Sequence, residues 1–270
     1  MPSFRITIAY DGTDYVGWQR QANGVAIQAL VEDALRALDE RDVTVHGAGR
    51  TDAGVHALGQ VAAFTLQRVL PPEALVRALN ARLPSAIRVL SACEVPADFH
   101  PRVSALDKTY RYRIWNSDVM SPFERRFAWH VSGALDLDAM QAAAALIVGR
   151  HDFAAFQSAG SDVATTVREI FVSRMAAPRP SDPAPRTSHL ALSTSSPFLV
   201  VYEVTGTGFL RHMVRAIVGT LVEVGRGRQP VDWMARVLAS RDRSLAGPTA
   251  PPEGLVLVGV TYAGALAANP

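Results

Sequence analysis

Cysteine is nearly absent from this chain of 270 residues: Cys93 stands alone, so no intrachain disulfide can form and a disulfide-stapled scaffold is excluded. Lysine is as scarce, Lys108 being the single one among 27 basic residues. No apolar run approaches the roughly 18 residues a membrane span requires, the longest candidate being the Ala-rich Met140 to Val148. The 7 histidines fall into no HExxH pattern and no Cys/His cluster of zinc-site spacing, so no metal is expected. Met1-Pro2-Ser3 runs directly into Phe4-Arg5-Ile6-Thr7-Ile8 without the basic and apolar regions of a secretory signal. A cytoplasmic protein outside any membrane is expected.

What is present is an ordinary globular composition, 49% hydrophobic and 19% charged, with a formal charge of +2. The basic residues are almost all arginine. Codon bias in a GC-rich genome accounts for the overall ratio, whereas planar, bidentate arginine also suits phosphate contacts. Position must decide between the two. Residues 1–104 carry 10 arginines against 11 acids, and residues 105–270 carry 17 basic residues against 14 acids, so the second half is the more basic.

The pattern along the chain is strand, helix, strand, strand, helix, strand, and then a second pass of the same grammar. Phe4 to Tyr10 alternates apolar and polar residues with the period of a half-buried strand. Ile27, Leu30, Val31, Ala34, Leu35 and Leu38 recur at helical spacing. Strands are read at Val43 to Ala48, Val61 to Leu66 and Ile87 to Val95, with a helix opened by Pro71-Pro72-Glu73. The second half reads as strand Lys108 to Trp115, a helix from an Asp136 cap to Val148, and strands Thr166 to Met175 and Leu199 to Thr205. A helix Phe209 to Val224, a short helix around Val231 to Ala239 and a strand Leu255 to Tyr262 complete it. The Pro-rich stretch 176–188 is expected to be a hairpin tip. This predicts an α+β protein of two related halves, 1–104 and 105–270, divided where His100-Pro101-Arg102 breaks the pattern, with an active-site cleft between them.

Three clusters can carry chemistry. Gly47 to Gln60 places four glycines around Arg50 and Asp52, and a carboxylate beside a guanidinium stays ionised and can act as nucleophile or base. Taken alone, such an Arg-x-Asp more often just ties a turn together. His56 has two readings, a second catalytic group or metal ligand, and a structural hydrogen-bonder. Lys108-Thr109-Tyr110-Arg111-Tyr112-Arg113-Ile114 is an amphipathic strand, with tyrosines expected inward and Arg111 and Arg113 outward. Aromatics among cations also suit a flipped-out base and its phosphates. In Gly206 to Gly219, Arg211 and Arg215 sit at the edge of an apolar helical stripe, and Arg211 occupies the third glycine position of GxGxxG, which argues against a dinucleotide site.

Together these motifs resemble one family, tRNA pseudouridine synthase A. Tyr10-Asp11-Gly12-Thr13-Asp14-Tyr15-Val16-Gly17-Trp18-Gln19-Arg20-Gln21, Gly-Arg-Thr-Asp-Ala-Gly-Val-His around Asp52, Lys108-Thr109-Tyr110-Arg111-Tyr112, Gly208-Phe209-Leu210-Arg211-His212-Met213-Val214-Arg215 and Gly254-Leu255-Val256-Leu257-Val258-Gly259-Val260 look like its motifs in order. The resemblance implies two ferredoxin-like, RRM-like halves with largely antiparallel sheets, a homodimer, and no cofactor. The implied activity is isomerisation of uridine to pseudouridine at positions 38–40 of the tRNA anticodon stem-loop. By matching motif, Asp52 would be the catalytic carboxylate, Tyr110 the ring on the target base, Arg215 a partner of Asp52, Arg50 a holder of the flipped nucleotide and Leu255 an apolar wall of the pocket.

The chemistry suits these residues. The N1–C1′ bond breaks, the uracil turns and C5 joins C1′, with no redox change and no net hydrolysis. One anionic Asp can attack as nucleophile or remove a sugar proton as base, and both routes stay open. Two other readings are a non-catalytic RNA-binding module and a metal-dependent hydrolase using Asp52 and His56. Arg211, Arg226 and Arg228, which with Arg215 face only Glu223 between Thr205 and Arg228, are candidate RNA-backbone contacts, whereas Arg215 keeps Asp52 as its expected partner.

Overall fold

The computed structural model describes residues 1–158, 160, 163–176 and 199–264. The chain gathers into two compact units, Met1–Thr109 with the chain from Val256 onward, and Tyr110–Leu255. Among the described residues no helix is long and apolar enough to cross a membrane.

The first unit contains β1 (Ser3–Tyr10), α1 (Ile27–Asp39), β2 (His46–Gly47), β3 (His56–Thr65), α2 (Pro72–Asn80) and β4 (Ile87–Val95). β1 lies between β3 and β4 and runs antiparallel to both, with Ile6 opposite Ala62 and Ala92. β2 adds to β3 through His46↔Ala63. The resulting order β4-β1-β3-β2, every neighbour antiparallel, is the split β-α-β arrangement of ferredoxin-like units. Alternation in β1 puts Phe4, Ile6, Ile8 and Tyr10 in the core, and the α1 stripe Ile27, Val31, Leu35 and Leu38 is buried likewise. α1 ends at Glu40 in the left-handed region. Beside that end, the Asp39 carboxylate accepts the Gln67 and Arg68 amides and the Arg41 guanidinium. β10 (Leu255–Tyr262) pairs with β3 in parallel, Val256 opposite His56. The last strand, which the sequence pattern groups with residues 105–270, is therefore partnered by a strand of the first unit.

The second unit takes β5 (Ala105–Asn116) from Tyr110 on, then β6 (Trp129–Val131), α3 (Leu137–Ala145), β7 (Gly149–Asp152), β8 (Val167–Ala176), β9 (Leu199–Gly206), α4 (Met213–Gly225) and α5 (Trp233–Ser240). Its strand order is β5-β9-β8-β7, with β6 parallel on β5. β5, α3, β8, β9 and α4 repeat the order of the first unit. Asp136 caps α3 as expected, accepting the Ala139 N–H at 2.9 Å.

Several expectations are corrected. α4 starts at Met213 and not at Phe209, because His212 adopts φ 61° and breaks the helical backbone before the first turn. The strand read over Val43 to Ala48 shrinks to His46–Gly47, and β6 and β7, too short to show a period, were not legible. The hairpin tip expected over 176–188 lies, from residue 177 on, outside the described residues. Arg111 and Arg113 do not point to solvent. Both are buried, Arg111 Nε donating to Glu203 at 2.8 Å and Arg113 Nη2 to Glu124 at 2.8 Å. Arg174 Nη2 reaches the other oxygen of Glu203 at 2.7 Å. A strand buried on both faces tolerates arginine when a carboxylate is buried opposite it.

Burial alone would raise the Glu203 carboxyl, but hydrogen bonds from Arg174 and Arg111 hold it below its ordinary value. A depressed carboxyl contributes stability that is full above its unfolded pKa of about 4.3 and is lost as pH falls through the folded value. Glu203→Gln should therefore melt earlier than wild type at pH 7 and lose less on titration to pH 3. Equal acid losses in the two chains, followed by circular dichroism, would remove Glu203 from this account. Glu203→Ala, which removes the buried carboxylate facing Arg111 and Arg174, should cost about 3–5 kcal/mol.

Candidate active site

The turn between β2 and β3 has no ladder of its own at its tip, so its peptide groups must find partners elsewhere. The loop 11–20, which leaves β1, supplies them. Trp18 N–H donates to Thr51 O at 3.1 Å, and Gly54 N–H donates to Tyr15 O at 3.2 Å. Gly12 N–H donates to His56 Nδ1 at 3.0 Å. The two backbones touch: a Cβ on Gly12 would stand 2.0 Å from Val55 O, and one on Gly17, at φ +102°, would stand 2.4 Å from Thr51 O. Only glycine fits at both positions.

On this platform Asp52 is half-buried, with its main-chain carbonyl accepting the Val55 N–H at 3.1 Å. Arg50 is exposed, and its Nε donates to Gln19 Oε1 at 3.2 Å. Lys108 is buried, and its Nζ lies 3.6 Å from where a Gly49 Cβ would be, so the chain's single lysine is against this turn. His56 is buried too, and its Nδ1 lone pair is taken by the Gly12 amide, which favours its structural reading. Asp11 Oδ1 approaches the same nitrogen at 3.2 Å and also accepts the Thr13 N–H at 3.0 Å.

In the second unit Tyr110 is buried, its ring edge-on to Phe209 at 5.0 Å between centroids. Tyr112 has no exposed surface, donates its hydroxyl to Pro251 O at 2.7 Å and packs edge-on to Trp129. Burial, with Glu253 nearby, pushes the Tyr112 phenol well above its ordinary pKa. Arg215 Nε donates to Ala250 O at 2.7 Å, and Ala250 N–H donates back to Arg215 O at 3.1 Å, so this side chain is braced across the α4 start. Leu255, first residue of β10, is buried. Arg211 is exposed, its carbonyl accepting Ser158 N–H at 3.2 Å. Arg226 and Arg228 share Glu223, at 3.5 and 3.1 Å, so the one acid in that stretch is spent on both.

Sequence reasoning missed the residues beneath the turn. Tyr10 OH meets Thr51 Oγ1 at 2.8 Å, and Gln60 Nε2 donates to Gly49 O at 2.9 Å. Alternation places Tyr10 inward, but nothing in a single sequence pairs its hydroxyl with position 51.

The family model described as tRNA pseudouridine synthase matches residues 6–103 and 143–263. The chain belongs to that family. It is 48% identical over 262 residues to tRNA pseudouridine synthase A of Myxococcus xanthus, covering 97% of this chain and 92% of that protein. It is 45% identical over 262 residues to tRNA pseudouridine synthase A of Geotalea uraniireducens (strain Rf4), with 97% and 100% covered. Against tRNA pseudouridine synthase A of Moorella thermoacetica it is 44% identical over 264 residues, again with 97% and 100% covered. As a tRNA pseudouridine synthase the chain is an isomerase of uridine in tRNA. The matched stretches contain Arg50, Asp52, Arg211, Arg215 and Leu255, whereas Lys108 and Tyr110 fall between them.

The glycine contacts give a test of the platform. Gly12→Ala and Gly17→Ala should each reduce pseudouridine formation severely, because the loop must lift from residues 51–55. Normal turnover in a folded Gly12→Ala protein would show that the loop does not hold the turn.

Proposed function

We propose that Asp52 is the catalytic carboxylate of this isomerase and that the target uridines are positions 38–40 of the tRNA anticodon stem-loop. The observation that carries the reading is the turn 47–60, in which Asp52 is the only acid and the backbone on either side of it is clamped by the loop 11–20. A preorganised carboxylate is what covalent or general-base chemistry at a ribosyl centre needs. The carboxylate either bonds to C1′ as the uracil leaves and is displaced when C5 bonds there, or takes a sugar proton and returns it once C5 is in place; in both routes the N1–C1′ bond breaks, the uracil turns, C5 bonds to C1′, and the C5 hydrogen leaves as a proton while N1 gains one.

Tyr110 is assigned to the face of the target base, with Arg50, Arg215 and Leu255 as further substrate-binding residues. Extrusion of a stacked uridine costs a few kcal/mol, which stacking and arginine–phosphate contacts offset. Arg211, Arg226 and Arg228 are assigned to the RNA backbone. The enzyme is taken to work as a cytoplasmic homodimer without a cofactor.

Release of tritium from C5 of uridine-labelled tRNA reads the reaction directly. Asp52→Asn should bind tRNA like wild type and release none. Tyr110→Phe should retain binding and Tyr110→Ala lose most activity, while Tyr112→Ala, deprived of a core ring, should chiefly melt earlier. Wild-type release by Asp52→Asn would refute the assignment.

The electrostatic part is tested separately. Log K should fall linearly with log salt by roughly 0.7–0.9 per neutralised phosphate. Arg211→Ala should flatten that slope by about one unit, and Arg226→Ala or Arg228→Ala by less, because Glu223 already engages both. Arg215→Ala should cut turnover at nearly constant slope. An affinity independent of salt would sink this division of labour.

A further inference from the structure

Beneath the Asp52 turn lies a buried polar cluster that the chemistry above does not use. Tyr10, Thr51 and Gln60 expose 4%, 6% and 0% of their surface. The Tyr10 hydroxyl and Thr51 Oγ1 are 2.8 Å apart, and Gln60 shares a side-chain hydrogen bond with the same phenol. Gln60 also donates to Gly49 O at 2.9 Å and accepts the Val61 N–H at 3.1 Å. The Tyr10 ring stacks on Trp18, centroids 6.4 Å apart, and Trp18 N–H holds Thr51 O from the other side at 3.1 Å. The peptide positions before Arg50 and before Asp52 are thus each tied to the β1–β3 core, one through the Gly49 carbonyl and the other through the Thr51 hydroxyl, while the loop 11–20 holds the Thr51 carbonyl.

We propose that Tyr10, Thr51 and Gln60 are positioning residues for the reaction, a buried hydrogen-bonded support that fixes where the turn presents Asp52. The proposal rests on Asp52 being the catalytic carboxylate. Its physical basis is that buried hydroxyls and amides contribute little net stability when paired, since replacing both partners by apolar groups of the same shape is nearly neutral. What such a cluster adds is one arrangement in place of several. A carboxylate displaced by about 1 Å can lose on the order of a hundredfold in rate, so a support of this kind acts on the chemical step and leaves affinity for tRNA alone. Burial also pushes the Tyr10 phenol up to about 12, which keeps it a neutral donor over the working range.

The test is the single-turnover rate of tritium release beside the tRNA Kd and the melting temperature. Thr51→Val, which keeps the shape and removes the hydroxyl, should lower the rate on the order of tenfold to a hundredfold at unchanged Kd. Thr51→Ser should return most of it. Tyr10→Phe should act in the same direction, and it carries the test if Thr51→Val fails to fold. In the double variant Tyr10→Phe/Thr51→Val neither hydroxyl is left alone and only Gln60 loses its bond to the phenol, so the melting temperature should recover in part while the rate stays low. A rate that recovers with the melting temperature, or a Thr51→Val enzyme as fast as wild type, overturns the positioning role. Asp52→Asn in the same series separates the two ideas. Full activity there removes the catalytic assignment on which the proposal rests, whereas an inactive Asp52→Asn beside a fully active Thr51→Val overturns the support alone.

Discussion

Everything at the site depends on one close approach of backbone to backbone, the loop 11–20 against residues 51–55. A turn rich in glycine is entropically expensive to hold still, and this one is held because its amides and carbonyls are shared with a second segment. The constraint is steric as much as polar, since no side chain fits at Gly12 or Gly17 without displacing Val55 or Thr51. It also links the site to the sheet. Tyr10 is opposite Ala57 in the β1–β3 ladder, with a register shift after Ile8, so the end of β1 is delivered to the base of the turn at a fixed height. A slip of one residue would put Tyr10 on the other face and leave Thr51 without its partner.

The fold was legible where one period persisted. β4 and β10 have the boundaries their apolar pattern gives, and α1 follows its stripe. The misread boundaries have local causes. α4 loses its expected first turn to a left-handed His212, a residue whose φ no periodicity reports. The parallel pairing of β10 with β3 joins residues about two hundred positions apart, and a single sequence carries no signal for that contact. In the site, the motif-bearing residues were legible because glycine spacing and charge are local, whereas Thr51 and Gln60 look like any polar residues of a turn and a strand. Their meaning comes only from Tyr10, which is 41 positions from Thr51 and farther still from Gln60.

Arginine illustrates how composition misleads. An excess of arginine over lysine invites a reading in terms of phosphate, yet several guanidinium groups among the described residues face carboxylates. Arg111 and Arg174 converge on Glu203, Arg113 on Glu124, and Arg226 and Arg228 on Glu223. A flat, five-donor fork that serves two carboxylate oxygens at once is as useful in a buried strand as on RNA. The buried pairs carry a cost of their own: Arg113 Nε and Nη1 are buried without a hydrogen-bond partner, and burial raises the Glu124 carboxyl while Arg113 pulls it down.

The two tyrosines on one face of β5 show how such distinctions are made by atoms and not by faces. Both are buried, so exposure does not separate them. Tyr112 commits its hydroxyl to Pro251 O and its ring to Trp129, and Gly254 lies so close that a Cβ there would stand 2.6 Å from the ring. A ring held by a hydrogen bond, an aromatic neighbour and a close glycine backbone is committed to the core. Tyr110 is set edge-on to Phe209, an arrangement worth about 0.5–1.5 kcal/mol beyond area burial, which fixes its ring plane. Two tyrosines on the same strand face are therefore told apart by the neighbours that fix each ring, Phe209 for Tyr110 and Pro251, Trp129 and Gly254 for Tyr112.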